Sequence, residues 1–403
     1  MKKSREGYKM SELGEIPSDW EIISLESLGE FKNGINKGKD DFGFGVKFVN
    51  IQDAYIGNSI VESRLGRLNV NEKEKEIYKL INGDIVVVRS SVKPEGVGYP
   101  ILFDGAQEDV VYCGFMIRYR YNIDKVNPLF MLYQLRSSKA RKQVLDLSTV
   151  SANTNINQES YKKVKIILPT KKEQEKIASI LSTVDEQIDN VDALIEKNKE
   201  LKKGLMQTLL TKGIGHTKFK KTEIGEIPEE WEVKKLGDIF KLSSGNFLSQ
   251  KNIVDGCYPV YGGNGVNGYH NEYMFQESKL VIGRVGAKCG CVCLSQSKAW
   301  ITDNALYISE KIKEFDDKYM YYLLDSINLN SYANQNAQPV ISGQKIYGIY
   351  VAFPNINEQI KITKILSQID EKIEEYENKK KKLEELKKGL MQQLLTGMIR
   401  VTV

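Results

Sequence analysis

The phrase LGEIPSDWEIISL at Leu13–Leu25 returns as IGEIPEEWEVKKL at Ile224–Leu236. Gly14, Glu15, Ile16, Pro17, Trp20, Glu21, Leu25 and Gly34 recur at Gly225, Glu226, Ile227, Pro228, Trp231, Glu232, Leu236 and Gly245, all at one offset of 211 residues. A second pair repeats at an offset of 185: LPTKKEQEKIASILSTVDEQI from Leu168 and FPNINEQIKITKILSQIDEKI from Phe353. At that offset LKKGLMQTLLT (Leu201–Thr211) differs from LKKGLMQQLLT (Leu386–Thr396) at one position of eleven. The chain is a duplication, and that constrains its fold more than any single motif. Each half has a fixed opening, a variable middle and a fixed closing segment. The first middle is longer by 26 residues, the difference between the offsets. Fixed parts holding unlike parts suit a chain that presents two different readers on one frame.

The closing segments read as helices. Ile177, Leu181, Val184, Ile188, Val191, Ile195 and Asn198 step by 4-3-4-3-4-3, a heptad seam. Ile362, Leu366, Ile369, Ile373, Tyr376, Lys380 and Leu383 repeat it. Each helix begins after a proline with Glu-Gln in its first turn (Glu173-Gln174, Glu358-Gln359), which suits the positive helix end. The first should stop near Gly213 and Gly215, the second near Gly397. Some 40 residues each give about 60 Å at 1.5 Å per residue. A narrow apolar stripe needs a partner, and the simplest is the other helix, antiparallel within the chain. Asn198 and Lys380 are polar seam positions that either fix the register or sit at a tolerated edge.

The 403 residues imply two domains or more. No apolar run approaches the roughly 20 residues of a membrane span, and no signal peptide is legible at the start. Five cysteines do not read as a disulfide framework, so a reducing cytoplasm is the expected location. A net charge of +5 permits nucleic-acid binding without announcing it. The two histidines, His216 and His270, are too few for most His-based metal sites and argue against a Ser-His-Asp enzyme.

The middles are β-rich. Val46–Gly57, Gly83–Ser91 and Val110–Tyr121 are short strand-like runs in the first; Tyr258–Gly263, Lys279–Gly286 and Lys288–Gln296 are those of the second. Short helices are expected at Pro128–Arg141 and Asp316–Ser326. Each middle reads as a mixed α/β domain with a twisted, largely antiparallel sheet. The fold class is therefore α+β: two such domains separated by two long antiparallel coiled-coil helices, with an internal pseudo-twofold duplication.

The doubled GEIPxxWE opening, the EQxxI…IL helices closing in LKKGLMQxLLT and the unlike middles resemble the specificity subunit of a type I restriction–modification system. The resemblance covers nearly the whole chain. It implies target-recognition domains at 1–170 and 216–355, and conserved coiled-coil helices at 171–215 and 356–403. Each domain would read one half of a bipartite, asymmetric sequence in double-stranded DNA. The helices would act as spacer and dock two methyltransferase subunits, with restriction endonuclease and translocase subunits joining through the complex. The subunit would be non-catalytic and cofactor-free, the partner methyltransferase using S-adenosylmethionine. A homodimer of the isolated chain stays open. Half-site centres about one turn, ~34–36 Å, apart would put both readers on one side of the duplex.

Candidate DNA contacts follow from the chemistry of readout: Arg and Lys suit guanine or phosphate, Asn and Gln suit adenine. Lys37 and Lys39 lie in the basic glycine loop FKNGINKGK, and Lys251 in its counterpart KLSSGNFLSQKN. Arg89 and Lys93 share their Arg-x3-Lys spacing with Arg284 and Lys288, after a similar strand in each half. Asn153 and Asn155 in STVSANTNINQES, and Asn336 and Gln338 in NSYANQNAQPVISGQK, occupy Asn/Gln-rich loops that either read adenines or cap turns. Asn264, Asn267 and His270 stand in YGGNGVNGYHN, which has no counterpart in the first half.

Other patterns read as structure. Gly263, Gly265 and Gly268 spell a dinucleotide fingerprint with no helical pattern after it. Asn127-Pro128 begins a helix rather than a methyltransferase motif. Cys289, Cys291 and Cys293 alternate as on one strand face, where packing is the ordinary use and zinc with Cys257 the rarer one. Trp20 and Trp231 suit the core or the join between sheet and coiled coil. The competing readings are a specificity chain whose partner is a fused methyltransferase–nuclease, and a coiled-coil scaffold with two protein- or glycan-binding heads.

Overall fold

The computed structural model describes residues 5–254, 256–334 and 338–402. Two compact units emerge, Met1–Val191 with Lys379–Val403, and Asp192–Asn378. Each therefore takes in one middle and parts of both long helices, which run Lys171–Lys212 and Ile356–Leu394. Thr170 caps the first reciprocally: its hydroxyl accepts from Glu173 N at 3.4 Å and its own amide donates to the Glu173 carboxylate at 3.3 Å. Asn355 accepts from Glu358 N at 3.1 Å at the start of the second. Beyond the helix ends Gly213 and Gly397 take φ of 67° and 71°, a left-handed conformation that favours glycine.

The seam follows the sequence period. Ile177, Leu181, Ile362 and Leu366 are fully buried, and Val184, Val191 and Ile195 nearly so. Ile188, Ile369, Ile373, Tyr376 and Leu383 are half-buried. The half-buried Asn198 amide donates to Leu194 O of its own helix at 2.7 Å. Lys380 lies 4.0 Å from Glu384. In the first unit Ile177, Ala178 and Leu181 share a core with Leu394 and Leu395; in the second, Ile362 and Leu366 share one with Leu209 and Leu210. The beginning of one helix thus packs on the end of the other within each unit, as antiparallel pairing requires. Polar pins repeat this arrangement. Tyr133 donates to Asp185 at 2.6 Å, and Asp185 pairs with Lys387. Tyr322 donates to Asp370 at 2.6 Å, and Asp370 pairs with Lys202 at 2.7 Å.

Both middles share one sheet plan. In the first unit a four-stranded antiparallel sheet runs Gly29–Asn33, Met116–Tyr121, Ile85–Val88, Pro100–Leu102; in the second it runs Phe240–Ser244, Ala305–Lys311, Leu280–Gly283, Val292–Leu294. Beside each is a three-stranded sheet with one parallel pair. Phe42–Val49 lies between Val110–Tyr112 (parallel) and Gly66–Leu68; Tyr258–Gly262 lies between Trp300–Ile301 (parallel) and Gly265–His270.

Several local expectations are corrected. The run Val110–Tyr121 breaks at Cys113–Phe115 because its two parts serve different sheets. The expected helix Pro128–Arg141 is two helices, Pro128–Arg136 and Ser138–Asp146, since Ser137 is extended (φ −62°, ψ 151°) and caps the second on Ala140 N. Of the three alternating cysteines only Cys293 lies in a strand, Val292–Leu294; Cys289 and Cys291 belong to the turn before it. The loop Tyr261–Asn271 does have a structural counterpart. Its strand Gly265–His270 holds the place of Gly66–Leu68, reached by a tight hairpin instead of a long excursion.

The repeated phrase forms a lock. The buried Trp20 indole donates to Glu173 Oε2 at 3.1 Å, and the buried Trp231 indole to Glu358 Oε2 at 2.8 Å. The other carboxylate oxygen is also held, by Arg400 Nε at 2.8 Å on Glu173, and by Ile214 N at 3.1 Å with His216 Nε2 at 2.7 Å on Glu358. A Cβ at Gly397 would stand 2.4 Å from Pro17, and one at Gly213 2.8 Å from Trp231, so the chain leaving each helix must be glycine there. Trp231→Phe removes a donor from a buried carboxylate, worth about 1.5–3 kcal/mol. The expected result is a lower urea midpoint by circular dichroism; an unchanged midpoint would contradict the lock.

Candidate nucleic-acid interface

In the first unit the strands Ile85–Val88 and Met116–Tyr121 end together, with Val88 opposite Met116. One step further Arg89 N donates to Phe115 O at 2.9 Å. The chain then continues as Ser90–Ser91, which pairs with Thr154–Asn155, and that segment pairs with Thr149–Val150. Residues far apart in sequence, Arg89 and Lys93 on one side and Asn153 and Asn155 on the other, therefore meet at one end of the sheet. Lys93 and Asn153 border an open hollow of about 690 Å³, lined also by Tyr55, Ser90, Val92 and Phe115. Lys93 and Asn153 are exposed. Asn155 is half-buried and spends its amide on Asn153 O at 2.9 Å, which shapes the loop.

The second unit repeats the construction. Gly283 lies opposite Ala305, and Arg284 N donates to Asn304 O at 2.9 Å. Val285 bridges Val340, and Val340 bridges Asn334. Ile341 N donates to Arg284 O at 3.0 Å, as Ile156 N does to Arg89 O at 2.9 Å. Lys288 and Gln338 are exposed on the flanks of this pairing. Asn336 lies outside the described residues. The hairpin turn carrying the exposed Asn264 comes to the same place, since a Cβ on Gly263 would stand 2.5 Å from Val285 O and 3.3 Å from Asn304 O. Asn267 is exposed and folds back over Gly262. His270 Nδ1 lies 2.8 Å from Asn252 O, which draws the hairpin to the loop of the exposed Lys251.

The glycine loops reach these strand ends too. Gly34 N donates to Met116 O, and Gly245 N to Ala305 O, at 3.0 and 3.2 Å. A Cβ at either would lie 2.1–2.2 Å from a carbonyl oxygen (Cys113 or Ile301), which explains this repeated glycine. Lys39 is exposed, but Lys37 pairs with Glu74 at 2.8 Å. That hydrogen bond raises the Lys37 pKa and lowers that of Glu74. Lys37 and Lys39 are thus unequal, one held in an ion pair and the other exposed to meet phosphate.

Sequence reasoning missed Phe115 and Asn304, the residues opposite the two arginines. The available signal was their shared place one residue before the strand that pairs with the arginine strand. Burial raises the Cys289 pKa and pushes Cys293 up to about 11. Among the described residues no group of three or more His, Cys, Asp or Glu could hold a metal ion. No helix among them is long and apolar enough to cross a membrane.

Two like domains, each ending its sheet in basic and amide side chains, define a class of duplicated recognition proteins. The family model of the type I restriction modification DNA specificity domain matches residues 17–202 and 228–385, and the chain belongs to that family. A Methanocaldococcus jannaschii protein provisionally named as the MjaX specificity subunit of a type I restriction enzyme is 31% identical, over 98% of this chain and 97% of its own. The MjaVIII specificity subunit of the same organism is 26% identical over 96% and 94%. The crystal structure of a type I restriction–modification S subunit from M. genitalium superposes with a TM-score of 0.60 at 19% identity, covering 95% of this chain and 97% of that one. A chain from a structural study of type I restriction–modification complex assembly gives 0.57 at 14% identity, covering 95% and 99%. At these identities the structures establish the shared fold.

Lys93→Ala should weaken binding to every DNA duplex alike and flatten the dependence on salt by roughly one counterion. Removing both charges of the pair, Lys37→Ala with Glu74→Gln, should change neither, because together they carry no net charge. Fluorescence anisotropy across a salt series checks both, and equal effects of the two variants would contradict the placement.

Proposed function

We propose that each unit reads one half of a split, asymmetric sequence in double-stranded DNA, as part of a type I restriction–modification complex. The observation that carries this is the repeated strand-end construction. Arg89 and Arg284 take the same backbone bonds, each beside an Asn-bearing loop, while the exposed side chains around them differ between the halves. A common scaffold with unlike tips is what two independent half-sites require. The exposed lysines supply the sequence-independent attraction to phosphate, and the amide and basic tips supply contacts to base edges.

The long helices serve as spacer and as docking surface for the modification subunits. Because their LKKGLMQ stretches are duplicated, two methyltransferase copies are expected to bind in one mode. Restriction subunits would join through that complex. The chain itself acts without catalysis. Methyl transfer, and the base flipping it needs, belong to a partner that supplies S-adenosylmethionine.

The test is to express the chain with its partner methyltransferase and map methylated bases by long-read sequencing. Two short sequences separated by a fixed, unspecified gap are expected. A continuous motif, or methylation independent of this chain, would contradict the proposal.

A further inference from the structure

The arginines stand out in the sequence, yet their guanidinium groups bend back along the sheet end. Arg89 Nη1 reaches back to Gly114 O and Arg284 Nη1 to Ser244 Oγ, each at 3.5 Å, and both side chains are half-buried. What each strand end presents outward is the cross-strand neighbour. In the first unit that is Phe115, 57% exposed, next to Val92, 80% exposed. In the second it is Asn304, which is exposed and whose side-chain amide has no hydrogen bond among the described residues. The two positions are equivalent by backbone, since each carbonyl accepts from the matching arginine amide at 2.9 Å.

An aromatic ring and a valine, both exposed, line one side of the hollow as a small apolar patch. The surroundings indicate what covers it. Lys93, Ser90, Ser91 and Asn153 line the hollow together with Ile51, Tyr55, Tyr99 and the acidic Glu95, so groups suited to phosphate and base edges adjoin a largely apolar wall. In the major groove the one apolar group that carries sequence information is the thymine C5-methyl, and a phenylalanine side chain suits it. An asparagine amide suits the N6–H2 donor and N7 acceptor of adenine. We propose that Phe115 and Asn304 are the matched specificity-determining residues of the two units, Phe115 contacting a thymine methyl in one half-site and Asn304 an adenine in the other. The assignment rests on the DNA-reading role above and adds to it the base type at one position of each half.

The test uses the full chain with its methyltransferase partner and duplexes carrying the wild-type target. Deoxyuridine replaces each thymidine of the Phe115 half-site in turn, removing only the methyl group. 7-Deazaadenine replaces each adenine of the Asn304 half-site, removing only N7. The wild type should lose affinity about fivefold or more at one thymidine and at one adenine. Phe115→Ala should lose the sensitivity to deoxyuridine alone, Phe115→Leu should retain it in part, and Asn304→Ala should lose the sensitivity to 7-deazaadenine alone. Unchanged binding to non-specific duplex confirms that each variant is folded. A wild type indifferent to every deoxyuridine, a first half-site without thymine, or variants that keep both sensitivities would overturn the assignment while leaving two-half reading intact. A wild type with no sequence-dependent binding would overturn the reading itself, and the assignment with it.

Discussion

A buried carboxylate held by a buried indole is the contact on which each half of the molecule depends. Glu173 and Glu358 are almost wholly out of water, and a charge in that position is tolerable only when fully paired. Trp20 and Trp231 supply one donor each, and residues beyond the far helix ends supply others: Arg400 in one unit, where Thr170 adds its amide and hydroxyl, and Ile214 and His216 in the other. The lock thus ties three pieces within each unit, namely the opening phrase, the start of one long helix and the end of the other. Its neighbour extends it to the recognition domain. Gln174 accepts from Asn127 N at 2.9 Å and donates to Pro169 O at 2.9 Å; Gln359 accepts from Asp316 N at 3.1 Å and donates to Pro354 O at 2.9 Å. Asn127 and Asp316 cap the domain helices Pro128–Arg136 and Asp317–Ser326, so the Glu-Gln pair fixes both frame and domain.

This accounts for why the chain repeats those phrases and leaves the middles free to differ. Pro17, Trp20, Glu173, Gln174 and the helix-end glycine answer to one geometry, as do their copies. The strand ends answer only to what they contact. Arg89 and Arg284 lie on the boundary between the two regimes: their backbone bonds are common to both halves, whereas the side chain opposite is Phe115 in one and Asn304 in the other. Constancy of scaffold and variety of tip meet within a single pair of residues.

Much of the frame was legible because helices with a heptad seam announce their period, and glycine announces a left-handed stop. Ile177 through Ile195, and the ends at Gly213 and Gly397, follow from local rules. The role of Glu173 and Glu358 did not, since a first-turn acid satisfies the helix dipole equally well in solvent, and only tertiary structure brings the indole to it. The middles were harder for a different reason. Val110–Tyr121 reads as one strand because its apolar pattern is continuous, but sheet membership is decided by partners distant in sequence. For the site, spacing found Arg89 and Arg284, and the pairing of Ser90–Ser91 with Thr154–Asn155 brings Lys93 and Asn153 to one hollow. Lys37 shows what sequence cannot rank, because its charge is spent on Glu74, a partner 37 residues away. Phe115 went unmarked since it reads as one more apolar residue within the run Val110–Tyr121.

The central claim is that two independent readers sit on one repeated frame. Its most direct measurement is the methylation motif of cells in which Gly34–Pro169 has been exchanged for the corresponding middle of a related subunit. The frame contacts of Trp20, Glu173 and Arg400 stay outside the exchanged segment. The account predicts that one half of the split motif changes while the other half and the gap are retained. A motif altered in both halves would contradict it.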